Sequence, residues 1–421
     1  MNERSASVNG ISIYSLTNPN LRSFCLSLYV RAGSIFEDSS NNGISHIFEH
    51  VVFRNLKDKY ENFYELLAMH GLCFQGSTYK KFVSFTIDGP QHEFDFAIEI
   101  LCGLFDEIKL TSHDFNNEKG RIKAEIREKD RRSSLDFYFD SIVWKSSEVE
   151  KIVLGYCKTV DRVSVKKINE FRQKVLSAGN CFVYATGNIS DKNLDALNKK
   201  ISELDISQSN PGFTNTVTVN DEFFHREKKI WIKNNYWHYI QIGFDVDCSK
   251  YPGGVYDLLY ALLFNGDKAL VYNYLSEDNP IIYSYDSTFE QYDNVGNINF
   301  SFEVDRNKIE DVFKTVVELL NAAKDGQFNF EANLNYEMFN WELDLDNPDN
   351  LNWNMAYYNH ILKTQSIDYS DEFYGRFRVT KEQIIDAAKY IFRRCNMTVA
   401  VKGDRKKINA EAIEKILESL D

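Results

Sequence analysis

Two histidines frame a glutamate in the run His46-Ile47-Phe48-Glu49-His50. On an α-helix, positions i and i+4 stand one turn apart on the same face, so His46 and His50 can turn imidazole nitrogens toward one ion. Glu49, one position before His50, can reach a water on that ion without ligating it. Catalytic zinc takes three protein ligands and keeps a fourth position open for water. Zinc makes that water more acidic, and a neighbouring carboxylate takes the proton. The competing reading is a pair of hydrogen-bonded core histidines. The chain has only 8 His in 421 residues, and two of them at this spacing around a Glu favour the metal. The apolar residues Ile47, Phe48, Val51, Val52 and Phe53 would bury the helix and dry the site.

A third ligand is required. The segment Asp114–Arg132 reads as a charged helix, with Glu118 and Glu125 seven residues apart on one face and Glu128 close to it. Spacing alone leaves all three acids as candidates, and a solvated charged face accounts for any one of them taken singly.

The elements that must position these residues repeat within the chain. Residues 163–180 (VSVKKINEFRQKVLSAGN) and 379–396 (VTKEQIIDAAKYIFRRCN) align without a gap. Ser164 and Thr380 are good helix N-caps, and Thr380 with Gln383 has capping-box spacing. Each helix leads into a short apolar strand ending at a glycine, Gly187 or Gly403, and then into a charged amphipathic helix over 191–203 or 407–419. Strands are predicted at Cys25–Arg31 and Tyr239–Val246, and Lys308–Ala323 has the spacing of a helix packed on one face. The order implies an α+β fold of two homologous domains, 1–206 and 222–421, joined by a polar Pro-Gly-containing linker at 207–221.

Composition supports two sizeable cores: 43% of residues are hydrophobic and 14% aromatic. The net charge is −13, and no basic run interleaved with aromatics is present, which argues against nucleic-acid binding. The acid is uneven. Residues 1–205 hold 27 basic and 28 acidic residues, whereas 206–421 hold 22 and 34. That excess serves solubility or, on a sharper reading, attracts a basic peptide. No apolar stretch is long enough to span a membrane. The first residues carry no secretory pattern, and the 7 scattered cysteines fit reduced thiols, so a cytoplasmic location is expected.

With these motifs in view, the chain resembles the pitrilysin/insulinase family, the inverted-motif zinc peptidases that include mitochondrial processing peptidase. The run Val30-Arg31-Ala32-Gly33-Ser34-Ile35-Phe36-Glu37, then Gly43 and the zinc motif, is similar to the family's glycine-and-acid lead-in. The resemblance implies one zinc per chain, held by His46, His50 and Glu125, with Glu49 as general base. It also implies that Glu118 orients a ligand by hydrogen bonding. The family's members form clam-shell chambers from four such α+β domains, each a mostly antiparallel sheet with packed helices. Two domains therefore imply half a chamber and a dimer. Residues 254–265 stand at the second domain's counterpart of the zinc helix and carry no His-Glu-His set.

The family binds substrate as an added strand on an exposed sheet edge, and Gln75-Gly76-Ser77-Thr78 falls at that place, with Gln and Gly replacing the usual Asn and Ala. It also uses an Arg and a Tyr seven residues apart, facing the zinc domain. Here Tyr283 matches, but Ser276 stands at the Arg position, with Asp278 close by. The resemblance therefore implies a heterodimer in which a related chain supplies the Arg–Tyr pair. The implied activity is that of a zinc metalloendopeptidase cutting extended or unfolded peptides, which allows a processing peptidase for a ribosomally made peptide. The alternative is a non-catalytic peptide-binding or scaffold subunit that keeps its metal.

Overall fold

The computed structural model describes residues 3–129, 134–213, 217, 223–224, 229–362 and 378–420. The expected linker at 207–221 lies partly outside these residues. The first half contains strands β1 (Arg4–Val8), β2 (Ile11–Thr17), β3 (Ser23–Val30), β4 (Cys73–Thr78), β5 (Val83–Pro90) and β6 (Cys181–Gly187). Its helices are α1 (Ile44–Lys59), α2 (Phe63–Met69), α3 (Phe94–Gly103), α4 (Ser112–Glu128), α5 (Leu135–Val143), α6 (Cys157–Arg162), α7 (Val165–Val175) and α8 (Asp191–Ser202). The second half contains β7 (Ile230–Asn234), β8 (Tyr239–Asp247), β9 (Tyr285–Tyr292), β10 (Val295–Glu303) and β11 (Met397–Gly403). Its helices are α9 (Gly253–Phe264), the single turn α10 (Leu270–Tyr272), α11 (Ile309–Lys324), α12 (Phe330–Asp344), α13 (Pro348–Met355), α14 (Lys381–Ile391) and α15 (Ala410–Leu417).

The repeat predicted from sequence is a structural repeat. Ser164 caps α7 through the Lys167 N–H, and Thr380 caps α14 in a full capping box with Gln383. The matched asparagines do the same work. Asn180 Nδ2 donates to Val175 O at 2.8 Å and Arg31 O at 2.9 Å; Asn396 Nδ2 donates to Ile391 O at 2.9 Å and Asp245 O at 2.8 Å. Each ties the end of a helix to a neighbouring strand, using side-chain donors to satisfy terminal carbonyls.

The sheets repeat as well. The first runs β1-β2-β6-β3-β5-β4 and the second β7-β11-β8-β10-β9, the same order without a counterpart of β1. In both, one strand pair is parallel, β2 with β6 and β7 with β11, and the other pairings are antiparallel. Strand β4 forms one edge of the first sheet.

Each half covers one sheet face with its own helices and lends a helix to the other half. Helix α13 lies on β3 and β6: Asn352 Oδ1 accepts from Tyr29 Oη at 2.9 Å, its Nδ2 donates to Tyr184 O at 3.0 Å, and Pro348 O accepts from Thr186 Oγ1 at 2.6 Å. Helix α5 lies on β8 and β11, and Phe139 packs so closely that a Cβ on Gly243 would come within 2.6 Å of its ring. Between the halves, Lys81 Nζ meets Asp293 Oδ1 at 2.7 Å, turn against turn.

A partly buried polar cluster sits at this junction. Lys80 Nζ contacts Asp140 Oδ2 at 3.1 Å and Val149 O at 2.8 Å, and Trp144 Nε1 donates to Glu290 Oε2 at 2.8 Å. Burial, then the nearby Asp140 charge, pushes the Glu290 carboxyl up to about 7, against the pull of Lys80 and the Trp144 bond. The folded state therefore binds this proton better than the unfolded chain. The stabilising contribution is present below the ordinary carboxylate range and is lost as pH rises toward about 7. Glu290→Gln keeps an acceptor for Trp144 and cannot ionise. Its urea midpoint is expected to rise relative to wild type at about pH 8 and to show no such gain at about pH 4. An offset that does not change with pH would contradict a raised Glu290.

Candidate metal centre

Helix α1 starts at a built socket. Gly43, at φ 95, is its N-cap residue, and a Cβ there would meet Leu154 O at 2.8 Å. The Glu37 carboxylate, only 4% exposed, takes over the capping. Its Oε2 accepts from Gly43 N at 2.6 Å and Asn42 Nδ2 at 2.8 Å, and its Oε1 accepts from Ser45 N at 2.8 Å. A carboxylate at a helix N-terminus satisfies orphan N–H groups and meets the positive end of the helix dipole. Burial still pushes the Glu37 carboxyl above its ordinary range, with these bonds opposing. This role was not read from the sequence; an acid a few residues ahead of a glycine at a helix start was its only signal.

From that socket α1 buries Ile47, Phe48, Val51, Val52 and Leu56 in the core and turns His46, Glu49 and His50 toward α4. Helix α4 is anchored by buried Phe115 and Ile122 and joined to α1 by the Arg54–Asp114 ion pair at 2.9 Å. Three residues converge. His46 Nε2 and His50 Nε2 stand 3.6 Å and 3.7 Å from Glu125 Oε2, and the donor atoms of all three residues lie within 4.8 Å of one another. Two ligand atoms on one zinc ion, each about 2.1 Å from it at tetrahedral angles, stand about 3.4 Å apart, so the spacing fits. The other nitrogen of His50, Nδ1, faces Glu118 Oε2 at 3.8 Å. Of the acids left open by spacing, Glu125 joins the histidines and Glu118 stands behind one of them; Glu128 is outside the group.

The electrostatics suit a cation. His46 is 6% exposed; burial, then His50 and Lys129, lowers its pKa to about 3, which holds the imidazole in the neutral form that ligates metals. Burial also pulls His50 down, but Glu118, Glu49 and Glu125 outweigh it and the net direction is up. Burial raises Glu49, assisted by Glu125 and opposed by His50 and Thr78. For Glu118, His50, Arg121 and Arg54 overcome burial and hold the carboxyl below its ordinary range. Without a cation, three carboxylates crowd two imidazoles; a divalent ion would relieve that crowding.

The neighbouring wall is β4. Thr78 Oγ1 donates to Glu49 Oε2 at 3.3 Å, and Glu49 stands 3.9 Å from His46 Nε2. A Cβ on Gly76 would come within 2.4 Å of Phe53 Cε2 and 2.9 Å of Glu49 Oε1, so a side chain here would force Phe53 and Glu49 to shift. Phe74 stacks on Phe53, with centroids 4.4 Å apart. Gln75, on the opposite strand face from these, contacts Cys73 Sγ at 3.4 Å, and Ser77 lies on that same opposite face. Beside the centre opens a cavity of about 230 Å³ lined by Glu49, His50, Phe53, Arg54, Lys57, Tyr64, Gly76, Glu118 and Arg121. Tyr283 is 97% exposed in the second half, and the ion pairs and hydrogen bonds described at the centre do not involve it or Ser276.

Among the described residues, no helix is long and apolar enough to cross a membrane. The chain is 29% identical over 199 residues to Zinc protease PQQL-like of Arabidopsis thaliana, a match covering 44% of this chain and 20% of the plant protein. It is 21% identical over 325 residues to an uncharacterized zinc protease of Bacillus subtilis, covering 75% of this chain and 77% of that one. To the mitochondrial-processing peptidase subunit beta of Saccharomyces cerevisiae it is 22% identical over 190 residues, 44% of this chain and 41% of the yeast protein. The crystal structure of a protease from Helicobacter pylori superposes with a TM-score of 0.81 at 18% identity, covering 96% of this chain and 99% of that one, which shows a shared fold. Residues 13–155 match insulinase (peptidase family M16), and residues 162–333 match the peptidase M16 inactive domain. With the two matches following one another along the chain and zinc proteases among its relatives, the protein belongs to the insulinase-like peptidase family M16.

Proposed function

We propose that the chain is a zinc metalloendopeptidase acting on extended peptides, with His46, His50 and Glu125 as ligands and Glu49 as general base. The observation that carries this reading is the convergence of both Nε2 atoms on Glu125 Oε2, with Glu49 beside them and held by Thr78 rather than by a second acid. A zinc ion at this place would supply Lewis acidity toward the attacking water and the scissile carbonyl. Glu49 Oε2 then accepts the water proton and carries it to the departing amine. Glu118 fixes the His50 ring so that Nε2 points to the ion. The open edge of β4 offers backbone groups to an extended substrate, with Gln75, Gly76, Ser77 and Thr78 nearest.

The reading extends to assembly and setting. Two domains, 1–206 and 222–421, form half of a clam-shell. The exposed Tyr283, without an Arg at position 276, supports a heterodimer in which a related chain brings the Arg–Tyr pair to this zinc. Subunit status in the yeast relative's name supports the same reading. Seven unpaired cysteines support a cytoplasmic setting.

Three outcomes are expected. Metal analysis should return about one zinc per chain, and Glu49→Gln should keep the zinc while losing peptide hydrolysis; full hydrolysis by that variant would remove Glu49 as base. Gly76→Ala should push Phe53 and Glu49 apart from β4 and lower kcat/KM on the order of 10- to 100-fold with zinc retained; wild-type kinetics would show that the close approach is dispensable. Hydrolysis by the pure chain should rise strongly when a related chain carrying the Arg–Tyr pair is added, and equal activity with and without that chain would exclude the heterodimer.

A further inference from the structure

The face of α1 that carries the metal centre continues beyond it. After His46, Glu49 and His50 come Phe53 and Arg54, then Lys57, each one turn further on. Strand β4 runs beside this face in the opposite sense: Thr78 touches Glu49, Gly76 lies between Glu49 and Phe53, and Phe74 stacks on Phe53. The cavity of about 230 Å³ fills the groove beside them and ends against Lys57 and Tyr64.

The charge in this groove is graded. Its metal end holds Glu49 and Glu118. Arg121 is also at that end, and Arg54 and Lys57 stand further along; two of these three cations are already committed. Arg54 pairs with Asp114 at 2.9 Å and Asp58 at 3.1 Å, and Arg121 pairs with Glu118 at 3.0 Å. Lys57 has no carboxylate partner among the described residues; its Nζ lies over the Tyr64 ring, 5.2 Å from the centroid. Tyr64 is itself 61% exposed, so the two form an unclaimed cation on an apolar shelf. The excess acid of the chain belongs to residues 206–421 and does not enter this groove.

Resting on the endopeptidase reading, we infer that the groove is a specificity subsite and that Lys57 selects peptides with an acidic side chain. Its position can be stated. Seven residues of helix from His50 to Lys57 span about 10 Å, and extended chain covers that length in about three residues. A peptide paired along β4, with its scissile bond at the metal, therefore brings the side chain about three residues away to Lys57 Nζ. A Glu or Asp there finds a cation with no carboxylate partner among the described residues, a basic side chain meets repulsion, and the Tyr64 ring covers its methylene groups. The charge opposite is single and partly solvated, so the effect is a graded preference rather than an absolute requirement.

The test uses the full, zinc-loaded chain and one extended peptide in which a single Glu, Gln or Lys is walked along the sequence. Binding is read by fluorescence anisotropy with Glu49→Gln protein, and cleavage by kcat/KM with the native base. At low salt, Glu is expected to outperform Lys about three- to fivefold at one position near the third residue from the cut. The preference should fade at high ionic strength. Lys57→Glu should reverse it, with zinc content and circular dichroism unchanged, and Lys57→Gln should abolish it. Acid-selective binding without cleavage of any peptide, by the chain alone or with the related chain added, would overturn the endopeptidase reading and leave the subsite standing. Cleavage without acid selectivity, selectivity that survives in Lys57→Glu, or no binding at all would overturn the subsite.

Discussion

Helix α1 has to be buried and polar at once, and the metal centre depends on how that conflict is resolved. Ile47, Phe48, Val51, Val52 and Leu56 are at most 2% exposed and fill one arc of the helix. At about 2 kcal/mol for each such side chain, they fix the rotation of α1 with roughly 10 kcal/mol of apolar burial. A turn of one residue would rotate the helix by about 100° and drive an imidazole into the core. The opposite arc carries His46, Glu49 and His50, followed by Phe53, Arg54 and Lys57. Burying a neutral His46 costs much less than exposing the apolar arc. The position of His46, Glu49 and His50 is thus set by residues outside the candidate metal centre.

The two ends of this arrangement are held at glycines where a side chain would force its neighbours to shift. Gly43 lets the chain turn into the helix under the Glu37 carboxylate, and Gly76 lets β4 close on Glu49. Both contacts act on charge. Glu37 places a carboxyl at the positive end of the helix dipole, and the β4 wall removes water from Glu49 while leaving it one hydroxyl partner, Thr78. Desolvation raises the Glu49 pKa and the nearby His50 lowers it. The Glu49 carboxyl is therefore set by packing as much as by its charged neighbours, and the close approach of β4 is part of the same arrangement.

Much of this was legible in the sequence because it follows local rules. Spacing of i and i+4 brought His46 and His50 together, and the caps at Ser164 and Thr380 marked the starts of two equivalent helices. The choice of Glu125 over Glu118 and Glu128 was not local. It depends on how α4 crosses α1, which the buried Phe115 and Ile122 and the Arg54–Asp114 pair determine. The exchange of α5 and α13 between the halves was also invisible, since each is a short helix whose partners are more than a hundred residues away. One trace of it was present. In β3, the run Phe24-Cys25-Leu26-Ser27-Leu28-Tyr29-Val30 is buried on both faces, and a strand covered on both sides does not alternate. The second cover is α13, and Tyr29 bonds to it directly.

That second cover gives the second half a structural role beside the half that carries the candidate metal centre. Helix α9 occupies the place of the zinc helix in the second half and fills it with Val255, Leu258, Leu259 and Leu262, all nearly inaccessible to solvent. It can pack more fully than α1 because nothing on it has to reach a metal. The second half then supplies α13 to the first sheet and, in return, has its own sheet covered by α5. With that face closed, the centre is approached from the side of α1, α4 and the edge strand β4. Any chain that brings further groups to the metal must come from that side. Tyr283, 97% exposed in the second half, is not involved in the ion pairs described at that centre.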